Sequence, residues 1–304
     1  MEFPAPVTAV ACMQRYIAAH LDEEISLDEL AAAGYSKYHA LRMFKDLTGR
    51  TPFETIRALR LTKAAQALQG SGGKVIDAAL ENRFGSHDGF TRAFARQFAI
   101  TPQKYQRELP AAKWFISHPI EHYFILKEGQ ERKTAFVRKK ESVPGVVTVT
   151  PIERPTRKLI LKRAIHSTDY WTLCEEIGCD WEGIFNSIPE KIDLFRYCQL
   201  PPNLVTPGTC PVAFGVEVPL DYAKPLPEGC DVMELPPCTL LYFQTVPYED
   251  PNGFGVAHEM MERAFDAYRP EMYGWAWAPE LAPLYVFSAT PETGARKAVP
   301  VKKA

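Results

Sequence analysis

Apolar residues recur at helical spacing through the first third of the chain and at strand-like density through the remainder. In Thr8–Leu21, Val10, Met13, Ile17 and Leu21 mark one face of a first helix. Ser26 followed by Glu29 is a capping box that predicts a second helix over Leu27–Ala33, with Gly34 as its stop. Ser36 caps a third, in which Tyr38, Ala40, Leu41, Phe44 and Leu47 alternate with Lys37, His39, Arg42 and Lys45 before Gly49 ends it. Pro52 opens a longer helix to Gln69, with Phe53, Ile56, Leu59, Ala64 and Leu68 inward. After the flexible Gly70–Gly73 break, Ile76, Ala79, Leu80 and Phe84 form one face. Ser86 caps the next helix, Phe90, Ala93, Phe94 and Phe98 form its seam, and Pro102 starts a closing helix. From Val143 the texture turns to β: VVTVTPI, RKLILKRAI, CPVAFGVEV, CTLLYFQTV and PLYVFS, with helical stretches over Asp169–Ile188 and Asn252–Tyr268.

The helical third contains an echo. Moved fifty positions, Ser36, Arg42, Phe44, Thr51, Pro52 and Arg57 land on Ser86, Arg92, Phe94, Thr101, Pro102 and Arg107. A short helix, a turn and a second helix, written twice, outline two helix-turn-helix units. The expected fold class is therefore multidomain. An all-α tandem helix-turn-helix domain (1–113) is followed by a linker (114–145) and an α+β domain (146–304) with duplicated strand-helix-strand-strand units. Within 114–145, the mostly basic Lys127–Lys140 stretch suits an exposed linker or a loose strand.

Charge sharpens this division. Residues 1–113 carry 15 Lys+Arg against 12 Asp+Glu, a net of +3, and 114–304 carry 20 against 25, a net of −5. The basic excess sits with the repeated unit, as a polyanionic partner requires. Arg42 and Arg92 occupy matching places in the two recognition helices, and arginine's fork meets guanine O6 and N7 together. Lys37, Tyr38, His39 and Lys45 surround the first as candidate DNA contacts; His87, Thr91 and Arg96 surround the second. Phe44 and Phe94 are expected in the core.

The strings SKYHALRMFKDLTGRTP and FGSHDGFTRAFARQFAITPQKYQR make residues 8–107 resemble the DNA-binding domain of AraC-family transcription regulators. The resemblance implies a monomer presenting two recognition helices to successive major-groove segments. By position it implies base contacts from Tyr38, Leu41 and Arg42 in the first unit and from His87, Asp88 and Arg92 in the second. There are departures. Arg83 stands where the family usually has Gly, Ile100 and Thr101 replace a Gly-x-Thr approach to the proline, and Gln106 stands where Arg is usual. Asp88 and Gly89 at the front of the second recognition helix imply that it contributes less specificity than the first.

In the second domain, aromatic residues (Trp171, Tyr197, Tyr242, Trp275 and Tyr285 among them) are interspersed with Glu182, Glu217 and Glu280. Aromatic walls with a carboxylate at the base suit a flat, lipophilic, often cationic ligand. CPVAFGVEVP and CTLLYFQTVPYEDPNGFGVAHEMMERAF resemble the gyrase-inhibitor-like effector-binding domain, a resemblance running from Val146 to about Thr290. It implies a ligand groove between two halves, often with a Glu; Glu217 is the first choice, Glu182 and Glu280 the alternatives. Some such domains resemble hydrolases of reactive small molecules, which gives a second reading. No Ser-His-Asp set, phosphate loop or metal cluster is apparent in the sequence, so no catalytic residue, metal or cofactor is assigned. The expected partners are double-stranded DNA and a small-molecule effector, with RNA polymerase as a further candidate and no membrane partner. Seven cysteines without a C-x-x-C pair, no bilayer-length apolar run and a first segment unlike a signal peptide lead to an expected cytoplasmic setting.

Overall fold

Short polar side chains set where the helices of the first unit begin. In the computed structural model, which describes residues 3–31, 35–70, 84, 86–125, 145–249 and 253–304, these are α1 (Ala5–Ala19), α2 (Leu27–Leu30), α3 (Lys37–Thr48), α4 (Pro52–Gln69), α5 (His87–Phe98) and α6 (Pro102–Glu108). Ser26 with Glu29 and Thr51 with Glu54 form reciprocal capping boxes. The Ser36, Ser86 and Thr101 hydroxyls accept from the backbone N–H of His39, Gly89 and Lys104. α3 ends at Gly49, with φ +77°, and α5 ends fifty residues later at Ala99, forced into the same left-handed region at φ +58°. The helix expected over Val75–Phe84 falls, except for Phe84, outside the described residues, as do Gly34 and Lys127–Lys140.

The long α4 belongs to two cores. Its first turns place Ile56 with Val10, Met13, Ile17, Leu30, Met43 and Phe44. Its later turns place Leu61, Ala64, Ala65 and Leu68 with Phe90, Phe94, Phe98 and Tyr105. Phe44 and Phe94 are both fully buried. A rigid rod common to both cores fixes the relation between α3 and α5.

Residues 114–125 differ from the linker expected of them: they close over this helical unit. The Trp114 indole donates to Tyr105 Oη at 3.3 Å, Phe115 N–H to Thr62 Oγ1 at 2.8 Å, and Ile120 N–H to Gln14 Oε1 at 2.8 Å. Arg15 pairs with the buried Glu121. By compactness the chain divides into Met1–Ala135 and Phe136–Ala304.

The second unit is a nine-stranded antiparallel sheet with helices. Its strands are β1 (Val147–Arg154), β2 (Arg157–Arg163), β3 (Arg196–Gln199), β4 (Val212–Pro219), β5 (Asp231–Leu235), β6 (Cys238–Thr245), β7 (Trp275–Trp277), β8 (Leu284–Thr290) and β9 (Gly294–Lys303). The order is β1-β6-β9-β8-β3-β4-β2-β5, with β7 on β9. The expected helical stretch from Asp169 is two helices, α7 (Tyr170–Ile177) and α8 (Trp181–Asn186), because Gly178 takes φ +85° between them. These pack on β4, and α9 (Gly253–Ala267) packs on β6 and β9. Side chains alternate across the sheet, so Phe214 and Phe243 meet the helices. Leu159, Glu217, Tyr242, Tyr285 and Phe287 point the other way. Among the described residues no helix is long and apolar enough to cross a membrane.

Candidate nucleic-acid interface and a buried arginine cluster

In α3 the helical period turns Ala40, Met43 and Phe44 inward and leaves Lys37, Tyr38, His39, Arg42 and Lys45 exposed, with Leu41 half-buried. Tyr38 is 86% exposed, the largest value among the exposed apolar side chains, and an aromatic ring held in water on a basic face suits contact with bases. The Arg42 side chain is 82% exposed and lies 3.6 Å from the Asp46 carboxylate one turn on. In α5, His87, Asp88, Arg92 and Arg96 are exposed and Thr91 is half-buried. Gly89 has a local reason: a Cβ there would stand 3.0 Å from Ser86 Oγ, the atom that caps the helix.

Between α4 and α5 lies a cleft of about 690 Å³ lined by Arg50, Arg57, Arg92 and Arg96, with Glu54 and Gly89. Four guanidinium groups against one carboxylate make a basic trough beside the second recognition helix. Arg50 and Arg57 are absent from the candidate contacts read from the sequence. Arg57 carried a signal all the same, because it is one of the echoed positions, paired with Arg107.

The eight ligand-contact candidates of the second unit fall in three places. Trp171, Glu182 and Tyr197 lie with the helices: Trp171 and Tyr197 both make edge-to-face contacts with Tyr170, and Glu182 sits on α8. Trp275 is on β7, and the exposed Glu280 pairs with Lys302 at 3.0 Å. Glu217, Tyr242 and Tyr285 come together on the opposite face of the sheet.

Around these three lies a group of charges with no signature in local spacing. Glu217 is wholly buried; its Oε1 accepts from Arg157 Nε at 2.7 Å and from the Tyr285 hydroxyl at 2.8 Å. Its Oε2 lies 3.2 Å from Arg196 Nη1 and 3.6 Å from Arg154 Nε. Arg154 also donates to Tyr242 Oη at 2.7 Å, and that hydroxyl donates to Asp193 at 2.9 Å. Arg296 Nη1 is 3.7 Å from Asp193. Burial alone would raise the Glu217 carboxyl, but the guanidinium groups of Arg196 and Arg157 outweigh it and hold the group below its ordinary value. Burial pushes the Tyr242 hydroxyl up to about 12, so it remains a protonated donor. His166 is exposed, while the ring of the half-buried His258 bonds to the Phe254 carbonyl and lies against the Phe254 ring.

The helical unit has relatives among known proteins. A family model described as a helix-turn-helix domain matches residues 30–108. The right origin-binding protein of Escherichia coli is 44% identical over 122 residues, covering 37% of this chain and 42% of that protein. The chain thus spans less than half the length of that relative. Multiple antibiotic resistance protein MarA of Escherichia coli is 33% identical over 109 residues, covering 36% of this chain and 86% of MarA. A solved structure of a probable AraC family transcriptional regulator from Rhodopseudomonas palustris is 25% identical with a TM-score of 0.32, covering 33% of this chain and 95% of that one.

Proposed function

The chain belongs to the AraC family of helix-turn-helix transcription regulators, and on that premise we propose that it binds double-stranded DNA sequence-specifically through α3 and α5. The observation that carries the reading is the pair Arg42 and Arg92, exposed at equivalent positions of two capped helices that share one rod. Arg42 and Arg92 read bases, with Tyr38 and Leu41 beside the first. Lys37, His39, Lys45, Arg96 and the basic trough at Arg50 and Arg57 take phosphates. Asp88 accepts from cytosine or keeps α5 at a distance from the backbone, and either role lowers its share of the specificity.

The second unit then acts as an effector domain of the gyrase-inhibitor-like kind. Its strand order supports a duplication. Apart from the short β7 inserted before β8, β2-helices-β3-β4 and β6-α9-β8-β9 follow the same order of elements, and β3 and β8 pair where the halves join. A ligand on the Glu217 face biases the DNA-bound state only through different affinities for two states of the protein.

The test is selection of bound fragments from a random DNA pool by the full chain, followed by affinity measurement across salt. The reading expects one enriched site, with log affinity falling against log salt at about −0.9 per neutralised phosphate. No enrichment together with a flat salt response would remove it.

A further inference from the structure

The face of the sheet that carries Glu217 holds more positive charge than it needs. Among the described residues, Arg154, Arg157, Arg196 and Arg296 converge on Glu217 and Asp193, four guanidinium groups against two carboxylates. Arg157 and Arg196 are wholly buried, and the Arg154, Asp193 and Arg296 side chains are 13%, 15% and 13% exposed. Buried charges ordinarily occur paired, because each guanidinium taken from water without a counter-charge is costly. Here several N–H groups have no hydrogen-bond acceptor among the described residues: Nη2 of Arg196, and Nε and Nη2 of Arg296; Arg196 Nη1 and Arg154 Nε have only the ion-pair partner Glu217 Oε2, at 3.2 and 3.6 Å. Arg196 and Arg296 both lie against the Phe287 ring, at 5.0 and 4.5 Å from its centre, which holds their planes in place. Protonation of Glu217 cannot relieve the imbalance, since it would add to the positive excess.

Fixed arginine forks with free N–H groups match the paired oxygens of a carboxylate or phosphate. We propose that Arg154, Arg196 and Arg296 form an oxyanion site that takes the carboxylate or phosphate group of a small ligand, entering past Arg154, Asp193 and Arg296. This rests on the effector reading above and names the charge of the effector. It reverses the expectation drawn from Glu217 in the sequence: that carboxylate is wholly buried and ion-paired with Arg157 and Arg196, so it organises the arginines rather than facing a cation.

The test is calorimetric titration of the full chain with benzoate, inorganic phosphate, neutral benzamide and benzylammonium, together with DNA affinity in the presence of each. The site predicts that benzoate or phosphate binds at least tenfold more tightly than benzamide, and which of the two does so separates carboxylate from phosphate recognition. Arg296→Gln, at the rim, should weaken that anion about tenfold and leave benzamide unchanged. The comparison among probes on the unaltered chain stands even if the variant folds poorly. Neither anion exceeding benzamide, or benzylammonium binding most tightly, overturns the oxyanion site. If benzylammonium also shifts DNA affinity, the effector reading survives that failure. An anion that binds without changing DNA affinity upholds the site and removes its regulatory role.

Discussion

Replacing Glu217 by Gln keeps the shape of the side chain and removes one of the two negative charges among four arginines. The carboxylate takes the Arg157 Nε–H at 2.7 Å and the Tyr285 hydroxyl at 2.8 Å, and faces Arg196 at 3.2 Å. An amide can accept from one side only, and its NH₂ would confront another guanidinium. Removing one partner of a buried ion pair costs about 3–5 kcal/mol. With a urea dependence of about 2 kcal/mol per molar, the unfolding midpoint of the second unit should fall by about 1.5–2.5 M. Tryptophan fluorescence follows it, because Trp171, Trp181, Trp275 and Trp277 lie in this unit and only Trp114 lies in the other. The pH dependence has a definite sign. Glu217 is held below its ordinary value of 4.5, so its stabilisation is present above that pH and is lost as pH falls through the lower folded value. The gap between the two proteins should therefore be widest at neutral pH and narrow in acid. A midpoint within about 0.3 M of the unaltered chain, well below the shift worked from the buried-pair cost, or a gap that grows in acid, would refute the reasoning.

Two further outcomes follow from local structure. Ala99 holds φ +58° where the first unit uses Gly49, so Ala99→Gly should relieve the left-handed strain and stabilise the helical unit by about 1 kcal/mol. A lowered thermal midpoint would contradict this. Glu176 accepts from the Ile165, His166 and Ser167 backbone N–H groups and from the Ser167 hydroxyl. These bonds overcome the opposing effect of burial and hold its carboxyl at about 2. Its contribution should be complete above 4.5 and fade between 4.5 and about 2, and Glu176→Gln should flatten urea midpoints across that interval.

Much of the helical unit was legible because its signals are local. Ser26, Ser36, Thr51, Ser86 and Thr101 cap helices three residues upstream of their backbone partners, a spacing any reader of the chain can see. The closing segment 114–125 was not legible, since what holds it (Gln14, Arg15, Thr62, Tyr105) lies up to 106 residues away. The strands that escaped notice have their own reasons. β3 and β7 are only four and three residues long, β5 is an exposed edge strand, and β9 carries Pro300 and four basic residues. Glu217 was recognised as a carboxylate on a strand, but its arginines arrive from β1, β2, β3 and β9 through cross-strand register. Without them its charge, taken alone, pointed to a cationic ligand.

The central claim is that α3 and α5 read one duplex, and position-resolved binding of Arg42→Ala and Arg92→Ala to the selected DNA fragment tests it most directly. Each base pair of the fragment is varied in turn and the affinity of each variant protein compared with that of the unaltered chain. The account predicts that each variant loses about 1–3 kcal/mol of discrimination at its own base position, the two positions lying about one helical turn apart. Uniform loss on every sequence, or loss at the same position from both variants, would contradict it.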